Sequence, residues 1–342
     1  MTLTNEQKER YSRTLVLKDF GEQEMEKVVR ATVSVVGAGG LGSPALRLLT
    51  AMGFGKIRII DRDIVELSNL QRQTVYNTSD IGKPKAEAAA ANLALLNPDV
   101  KFEPMSVSIE MNNATDLLKG SDVIVDGLDT IHSRQAINSA SVALKIPYVF
   151  AGAIEYYANI TTFLPGQTGC LHCMMGDAQD NPENTCAIAG ISPTVLSVAA
   201  AIEVQEALLI VTGRQPQLSG RLMSIDMNNL SFDFFQIEKV QDCPVCSSPK
   251  KPVKTKMDAP VVNALCSTTF NVYPPTGVLF DIVTVANRAK RKHKVVQAPS
   301  FIRVDLDNEV QITLMKNGNG IVKGVSTPEE ALRLYGEITG IE

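Results

Sequence analysis

Two groups of residues in this chain have types and spacings suited to chemistry. Gly37-Ala38-Gly39-Gly40-Leu41-Gly42 places glycines in the pattern GxGxxG, directly after the β-branched run 33–36 and directly before a helix-like stretch, 43–52. Glycine lets the backbone turn tightly and approach a phosphate, while the helix N-terminus offers N–H donors and positive potential. Asp61 closes the next strand-like run, 56–60, where a carboxylate can meet a ribose hydroxyl. Gly37, Gly39, Gly40, Gly42 and Asp61 are therefore candidate nucleotide-binding residues. NAD, FAD and ATP all satisfy this pattern.

The second group is four cysteines. Cys170-Leu171-His172-Cys173 and Cys243-Pro244-Val245-Cys246 are two CxxC pairs with 69 residues between them. Two-residue spacing lets both thiolates of a pair reach one ion, and two pairs complete a tetrahedral Zn²⁺ shell with no open position. The expected metal is thus a structural Zn²⁺ on Cys170, Cys173, Cys243 and Cys246, clamping the end of a large domain onto its middle. His172 sits between two ligands and is not expected to be one. The competing reading, free thiols or a redox couple, loses ground when both pairs are present.

Such sites need a rigid frame. Strand-like runs at 33–36, 56–60, 100–107, 123–126 and 148–151 alternate with helix-like stretches at 43–52, 83–96 and 133–144, and Asn97-Pro98 ends the second helix. Alternation of this kind implies crossover connections and a mostly parallel sheet. Beyond Gly152 the pattern turns hairpin-like, with strands at 159–164, 222–226 and 231–236 and a long apolar helix over 194–211. KKPVKTK at 250–256 carries four lysines and a proline and reads as a solvated linker. The rest looks like a small α+β module: a strand over 261–272, a helix over 280–290, strands over 301–306 and 310–315, and an Asn-Gly-Asn-Gly turn. A last helix opens at Thr327-Pro328, an N-cap threonine followed by proline in the first turn. The expected fold class is α/β, a Rossmann-like mostly parallel sheet continuing into antiparallel strands, plus a small C-terminal α+β domain. The expected division is 1–249, linker 250–256, and 257–342.

Composition sets outer limits. With 342 residues, 44% hydrophobic and 20% charged, the chain has the make-up of a folded globular protein of about two domains. A net charge of −4 argues against a surface devoted to nucleic acid. The apolar runs 195–201 and 207–211 are interrupted by Glu203, Gln205 and Glu206, so no membrane span is expected. The first thirteen residues are polar and lack a secretory core, which points to the cytoplasm.

The segment after Asp61 narrows the chemistry. Asp61-Arg62-Asp63-Ile64-Val65-Glu66-Leu67-Ser68-Asn69-Leu70-Gln71-Arg72-Gln73, followed by Gly82-Lys83-Pro84-Lys85, resembles the ThiF/MoeB/HesA family, adenylyltransferases related to ubiquitin-activating enzymes. The resemblance runs over about residues 8 to 248. It includes Arg10-Tyr11-Ser12-Arg13, the glycine loop, Asp126-Gly127-Leu128-Asp129 and both CxxC pairs, in order. The physical demand agrees: an acyl adenylate forms when a carboxylate meets the α-phosphate of ATP, and cations must offset two anions. Arg72, Lys85 and Arg13 are candidates, with Mg²⁺ as a further positive element.

The resemblance implies roles. Arg72 and Lys85 face the phosphates, Asn69 lies beside them, Asp61 holds the ribose, and Asp129 is the essential acidic position tied to Mg²⁺ and adenylation. Arg13 matches an arginine delivered across a dimer interface, so a homodimer is implied. The implied partner is a ubiquitin-like or sulfur-carrier protein ending in Gly-Gly, whose C-terminal glycine is adenylated with release of pyrophosphate. Cys186 lies in a polar, glycine-bounded stretch, 181–190, that reads as a mobile loop. In the family a cysteine there can form a thioester or persulfide-linked intermediate; an unreactive small residue is the competing reading. The basic run 288–294 reads first as cations at a helix C-terminus, and second as a docking patch. Two alternatives stand beside the leading one: adenylation of a tRNA-bound carboxylate, and an NAD(P)-dependent Rossmann oxidoreductase. The C-terminal module resembles the small extra domain of some prokaryotic members.

Overall fold

The computed structural model describes residues 2–180, 189–247, 259–266, 268–275, 278, 280–299, 301–306 and 309–341. Its first sheet has eight strands. Thr32–Val36 (β1), Lys56–Ile60 (β2), Lys101–Met105 (β3), Val123–Asp126 (β4) and Tyr148–Ile154 (β5) run parallel in the order β3-β2-β1-β4-β5. Tyr157–Phe163 (β6), Arg221–Asp226 (β7) and Ser231–Gln236 (β8) continue it antiparallel. The β1 and β2 runs are buried on both faces, as strands covered by helices must be.

The helices of this part are Asn5–Arg10 (α1), Ser12–Leu15 (α2), Glu22–Val28 (α3), Gly42–Met52 (α4), Lys85–Leu96 (α5), Ala114–Leu118 (α6), Ile131–Leu144 (α7), Leu171–Met175 (α8) and Pro193–Thr212 (α9). The last bears on the expectation of no membrane span. Its 20 residues have a mean hydropathy of 1.8 in their most apolar window, long and apolar enough to cross a membrane by length and composition. The fold uses it as a core helix instead, packed on α3, α4, β4, β5 and β6. Glu203 and Glu206, the residues that broke the apolar run, are both buried.

Strand order places the sheet's switch point between β1 and β4. The chain leaves β1 toward one side of the sheet and β4 toward the other, which opens a crevice at their carboxyl ends. Gly37 and Asp126-Gly127 lie there, and Asp61 follows β2 on the same edge.

A second sheet contains Val261–Cys266 (β9), Thr269–Tyr273 (β10), Lys294–Gln297 (β11), Phe301–Asp305 (β12), Gln311–Met315 (β13) and Gly320–Lys323 (β14), all antiparallel in the order β11-β12-β13-β14-β10-β9. The run read as one strand over 261–272 is a hairpin, β9 folding back on β10 with Cys266 opposite Thr269. No glycine, proline or asparagine marks the reversal, so composition alone could not reveal it. Ile282–Ala289 (α10) and Pro328–Thr339 (α11) cover one face. Thr327 caps α11, its hydroxyl accepting the Glu330 N–H at 3.2 Å, as its sequence signature predicts. The basic run 288–294 spans the last turn of α10 and the start of β11. The lysine-rich segment 250–256 lies outside the described residues.

Candidate active site

The glycine loop is built by backbone approach. Gly37 has φ +91°, and a Cβ on it would stand 2.4 Å from the Gly127 carbonyl oxygen. One on Gly42 would stand 1.8 Å from the Gly37 carbonyl oxygen. Only hydrogen at these positions lets β1, β4 and the start of α4 meet. Gly39 and Gly40 sit at the half-exposed crest of the same loop.

Asp61 ties this loop to the next one. Its Oδ2 accepts the Ala38 N–H at 2.7 Å and its Oδ1 accepts the Asp63 N–H at 2.7 Å. An ionised carboxylate has about four lone-pair sites, so acceptor capacity remains for a ribose hydroxyl. Burial pushes the Asp61 pKa up to about 6, against the pull of nearby Lys85.

Lys85 opens α5 and is buried, with Nζ 3.0 Å from Asp63 Oδ2. Burial works against its ammonium, but Asp63 and Asp61 outweigh that and hold its pKa above the ordinary value. Asp63 is correspondingly lowered: burial opposes its charge, and Lys85 and Arg62 more than compensate. A charged Lys85 is thus kept ready at the crevice.

The Ser68–Gln73 segment lies across the glycine loop. Val75 N–H donates to Ser43 Oγ at 2.8 Å and Tyr76 Oη donates to the Ala38 carbonyl at 2.9 Å. Asn69 is buried in the 3₁₀ turn Leu67–Asn69, where its Oδ1 accepts the Glu66 N–H at 3.0 Å and its Nδ2 has no hydrogen-bond partner among the described residues. Arg72 is half-buried and donates from Nη1 to the Ser68 carbonyl at 3.0 Å; it has no carboxylate partner among the described residues. Sequence reasoning passed over Gln73, whose Nε2 would lie 3.9 Å from a Cβ on Gly39 and whose buried Oε1 has no partner among the described residues. The orphaned Oε1 is an acceptor and calls for a donor such as a nucleotide hydroxyl or amino group, not for a phosphate oxygen.

Asp129 is exposed on the loop after β4, close enough for its charge to act on Lys85, Arg62 and Arg134. The loop is held from beneath. Asp126 Oδ1 accepts the Leu128 N–H at 2.8 Å, while Arg134 bonds Asp126 Oδ2 through Nε at 3.1 Å and the Leu128 carbonyl through Nη2 at 2.6 Å. Tyr148 Oη donates to the same Asp126 oxygen. Arg134 and Tyr148 carried no sequence signal, because their roles exist only once α7 and β5 have packed.

Arg13 is not brought to this cluster. It is exposed on α2. Its neighbour Tyr11 packs against Gly53 and accepts a hydrogen bond from Asn97 at 2.9 Å, at the C-terminal ends of α4 and α5. The glycine loop is at the other end of α4, which has 11 residues and so spans roughly 16 Å. Cys186 lies outside the described residues.

The four CxxC cysteines do converge. Cys170 and Cys243 Sγ are 3.7 Å apart, Cys173 and Cys246 Sγ are 3.6 Å apart, and all four sulfurs lie within 4.8 Å of one another. Tetrahedral ligation with Zn–S of ~2.3 Å requires sulfurs about 3.8 Å apart, so the geometry fits Zn²⁺. His172 is outside the set. Asn138 of α7, which sequence reasoning missed, donates from Nδ2 to Cys170 Sγ at 3.6 Å and accepts the Leu171 N–H at 3.0 Å.

This constellation has counterparts elsewhere. The model of the ThiF family matches residues 11–245, which contains the glycine loop, Asp61, Asn69, Arg72, Lys85, Asp129 and three of the four CxxC cysteines, Cys246 lying one residue beyond it. The chain belongs to the ThiF family. It is 34% identical over 247 residues to the SAMP-activating enzyme E1 of Haloferax volcanii, covering 72% of this chain and 91% of that one. It is 30% identical over 330 residues to the sulfur carrier protein ThiS adenylyltransferase of Bacillus subtilis, covering 95% of this chain and 98% of that one. The second alignment extends through the C-terminal module. A crystal structure of MccB from E. coli superposes with a TM-score of 0.61 at 25% identity, covering 70% of this chain and 72% of that one.

Proposed function

We propose that this ThiF-family chain is an adenylyltransferase acting on the C-terminal glycine of a ubiquitin-like sulfur-carrier protein. What supports this reading is a buried Lys85, paired with Asp63 and close enough to feel the Asp129 charge, at the carboxyl edge of a sheet with a glycine loop at its switch point, in a chain whose relatives bear adenylyltransferase and activating-enzyme names. In the reaction a carboxylate oxygen of the carrier attacks the α-phosphorus of ATP. The bond to the β-phosphate bridging oxygen breaks and pyrophosphate leaves. Lys85 and Arg72 offset charge on the phosphates, Asp61 orients the ribose, and the N–H groups of the glycine loop receive phosphate oxygens. Mg²⁺, with Asp129 as its side-chain ligand, would add positive charge at the phosphates.

Arg13 fits this scheme as a group supplied by a second copy. It is exposed, apart from its own chain's loop, and beside the exposed apolar pair Val16 and Leu17. The symmetric dimer this implies would hold two composite sites. The acyl adenylate then passes to sulfur or to an acceptor, with Cys186 as the candidate relay. Zn²⁺ on Cys170, Cys173, Cys243 and Cys246 joins the segment after β6 to the segment after β8 and leaves no open position for catalysis.

ATP–pyrophosphate exchange tests the reading. Label should enter ATP only when a ubiquitin-like carrier with an intact Gly-Gly terminus is present, and truncating that terminus should abolish exchange. Calorimetry showing NAD bound more tightly than Mg-ATP would overturn it.

A further inference from the structure

The C-terminal sheet has two faces, and helices cover only one. Side chains alternate along a strand, so Phe270, Val272, Ile302, Val304, Ile312, Leu314 and Val322 pack on α10 and α11. The intervening residues point the other way. Asn271, Thr313 and Ile321 on that second face are nonetheless buried, with 1%, 2% and 1% exposure. Something covers them, and the contacts show what it is.

Three site-bearing segments of the first sheet's edge meet this face and the turn beside it. Ser106, just beyond the β3 residue that pairs with the end of β2, offers its carbonyl to Asn317 Nδ2 at 3.2 Å and Asn319 Nδ2 at 3.3 Å. Lys323 Nζ of β14 reaches Glu66 Oε1 at 2.6 Å, and Glu66 opens the 3₁₀ turn that holds Asn69. The Arg303 guanidinium lies over Gly82, so that a Cβ there would be 2.6 Å from Nη1, three residues before Lys85. Within this seam Tyr273 of β10 accepts a hydrogen bond from Asn271 Nδ2 at 3.0 Å and stands near Arg62 and Ser108, while Arg62 Nη1 donates to Ser108 Oγ at 3.2 Å. Arg62 stands between Asp61 and Asp63 in sequence, with Nε 3.8 Å from Asp63 Oδ1. The carboxylate that pairs Lys85 is therefore also a neighbour of a cation that stands against the other sheet.

We propose that the C-terminal sheet is a positioning element of the nucleotide site, with Tyr273 fixing Arg62 and Lys323 fixing Glu66 so that the Asp61–Arg72 segment is set for ATP. This rests on the adenylation reading for its ligand. Neither residue touches the phosphates; both act through the loop they hold. The Lys323–Glu66 pair is partly exposed and adds little to global stability, but losing it frees the turn that orients Asn69. Removing the Tyr273 hydroxyl leaves Arg62 free to swing further toward Asp63 and to compete with Lys85 for it.

The test uses the full chain. Tyr273→Phe and Lys323→Glu should each raise KM for ATP in pyrophosphate exchange about fivefold, with kcat changed less than twofold and the melting temperature nearly unchanged. Adding Glu66→Lys to Lys323→Glu should restore KM, which loss of packing could not do. In the nucleotide-free protein, amide exchange over 61–73 should quicken in both single variants. Unchanged KM together with unchanged amide exchange would overturn the proposal while leaving adenylation standing. Wild type that fails to bind Mg-ATP would instead defeat the adenylation reading and, with it, the assignment of the seam to a nucleotide site.

Discussion

Lys85 and Asp63 meet at 3.0 Å between the first turn of α5 and the loop after β2. Among the described residues Asp61 has no cation paired with it, although its pKa still feels Lys85. Lys85→Met should therefore do two things. It removes a phosphate-facing cation, for which a loss of ~10²–10³ in exchange rate is expected. It also leaves two neighbouring carboxylates without that cation, so the variant should hold a proton at this pair to higher pH than the wild type does. Asp63→Asn keeps the cation and loses only its anchor, so it should lose roughly tenfold. Equal rates in wild type and Lys85→Met would remove the lysine from the chemistry.

The raised Asp61 pKa sets a pH dependence. An ordinary aspartate titrates near ~3.9, and burial moves this one up to about 6. Below that value the folded protein holds a proton that must leave before both oxygens can accept hydrogen bonds. Affinity for the ribose should rise with pH up to about 6 and be flat above. Adenosine, which has no phosphate proton to confuse the titration, is the suitable competitor. Asp61→Asn should bind more weakly and without the slope. A slope that persists in Asp61→Asn would place the titrating group elsewhere.

The cysteine cluster yields a metal test that spares the ligands. Asn138 donates to Cys170 Sγ and accepts from Leu171 N–H, so it orients one ligand and offsets thiolate charge. Asn138→Ala should keep one Zn²⁺ per chain but release it to a chelator about tenfold more readily. Chelation of the wild type should lower the melting temperature. Elemental analysis finding no zinc in carefully purified protein would make the four cysteines something else.

If Arg13 serves a partner's site, complementary defects should cancel. Each mixed dimer of Arg13→Ala with Asp129→Ala contains one pocket with both groups intact. Exchange activity should therefore return on mixing two inactive proteins. Stable mixed dimers without recovery would confine Arg13 to its own chain or to no catalytic role.

Local spacing made much of this legible. The glycine loop, Asp61, Asn69, Arg72, Lys85 and the CxxC pairs are short-range patterns, and strand and helix alternation placed them on one sheet. What stayed hidden depends on contacts between distant segments. Arg134 and Tyr148 matter because they converge on Asp126, Asn138 because α7 passes the cysteines, and Tyr273 because a second sheet docks on the first. The β9–β10 hairpin was missed because no glycine, proline or asparagine stands between Cys266 and Thr269. The helix Pro193–Thr212 was read with nearly its full length, yet the meaning of its two glutamates was not.

Those glutamates differ sharply. Glu206 is fully engaged, accepting from Thr162 Oγ1 at 2.7 Å, Gln217 N–H at 2.8 Å and Leu218 N–H at 2.9 Å. Glu203 is 0% exposed, and neither of its carboxyl oxygens has a hydrogen-bond partner among the described residues. Burial, reinforced by the nearby Asp126 charge, holds its pKa well above the usual carboxylate range. The sign follows. Above the ordinary glutamate pKa of ~4.3 the unfolded chain has lost this proton while the folded chain keeps it. Each rise in pH then weakens folding by up to about 1.4 kcal/mol per unit until the folded group ionises. Glu203→Gln removes the titration while keeping the shape. Its melting temperature relative to wild type should climb from pH 5 to pH 8. A constant difference over that range would show that Glu203 is already ionised inside the core, with a cation or solvent as its partner.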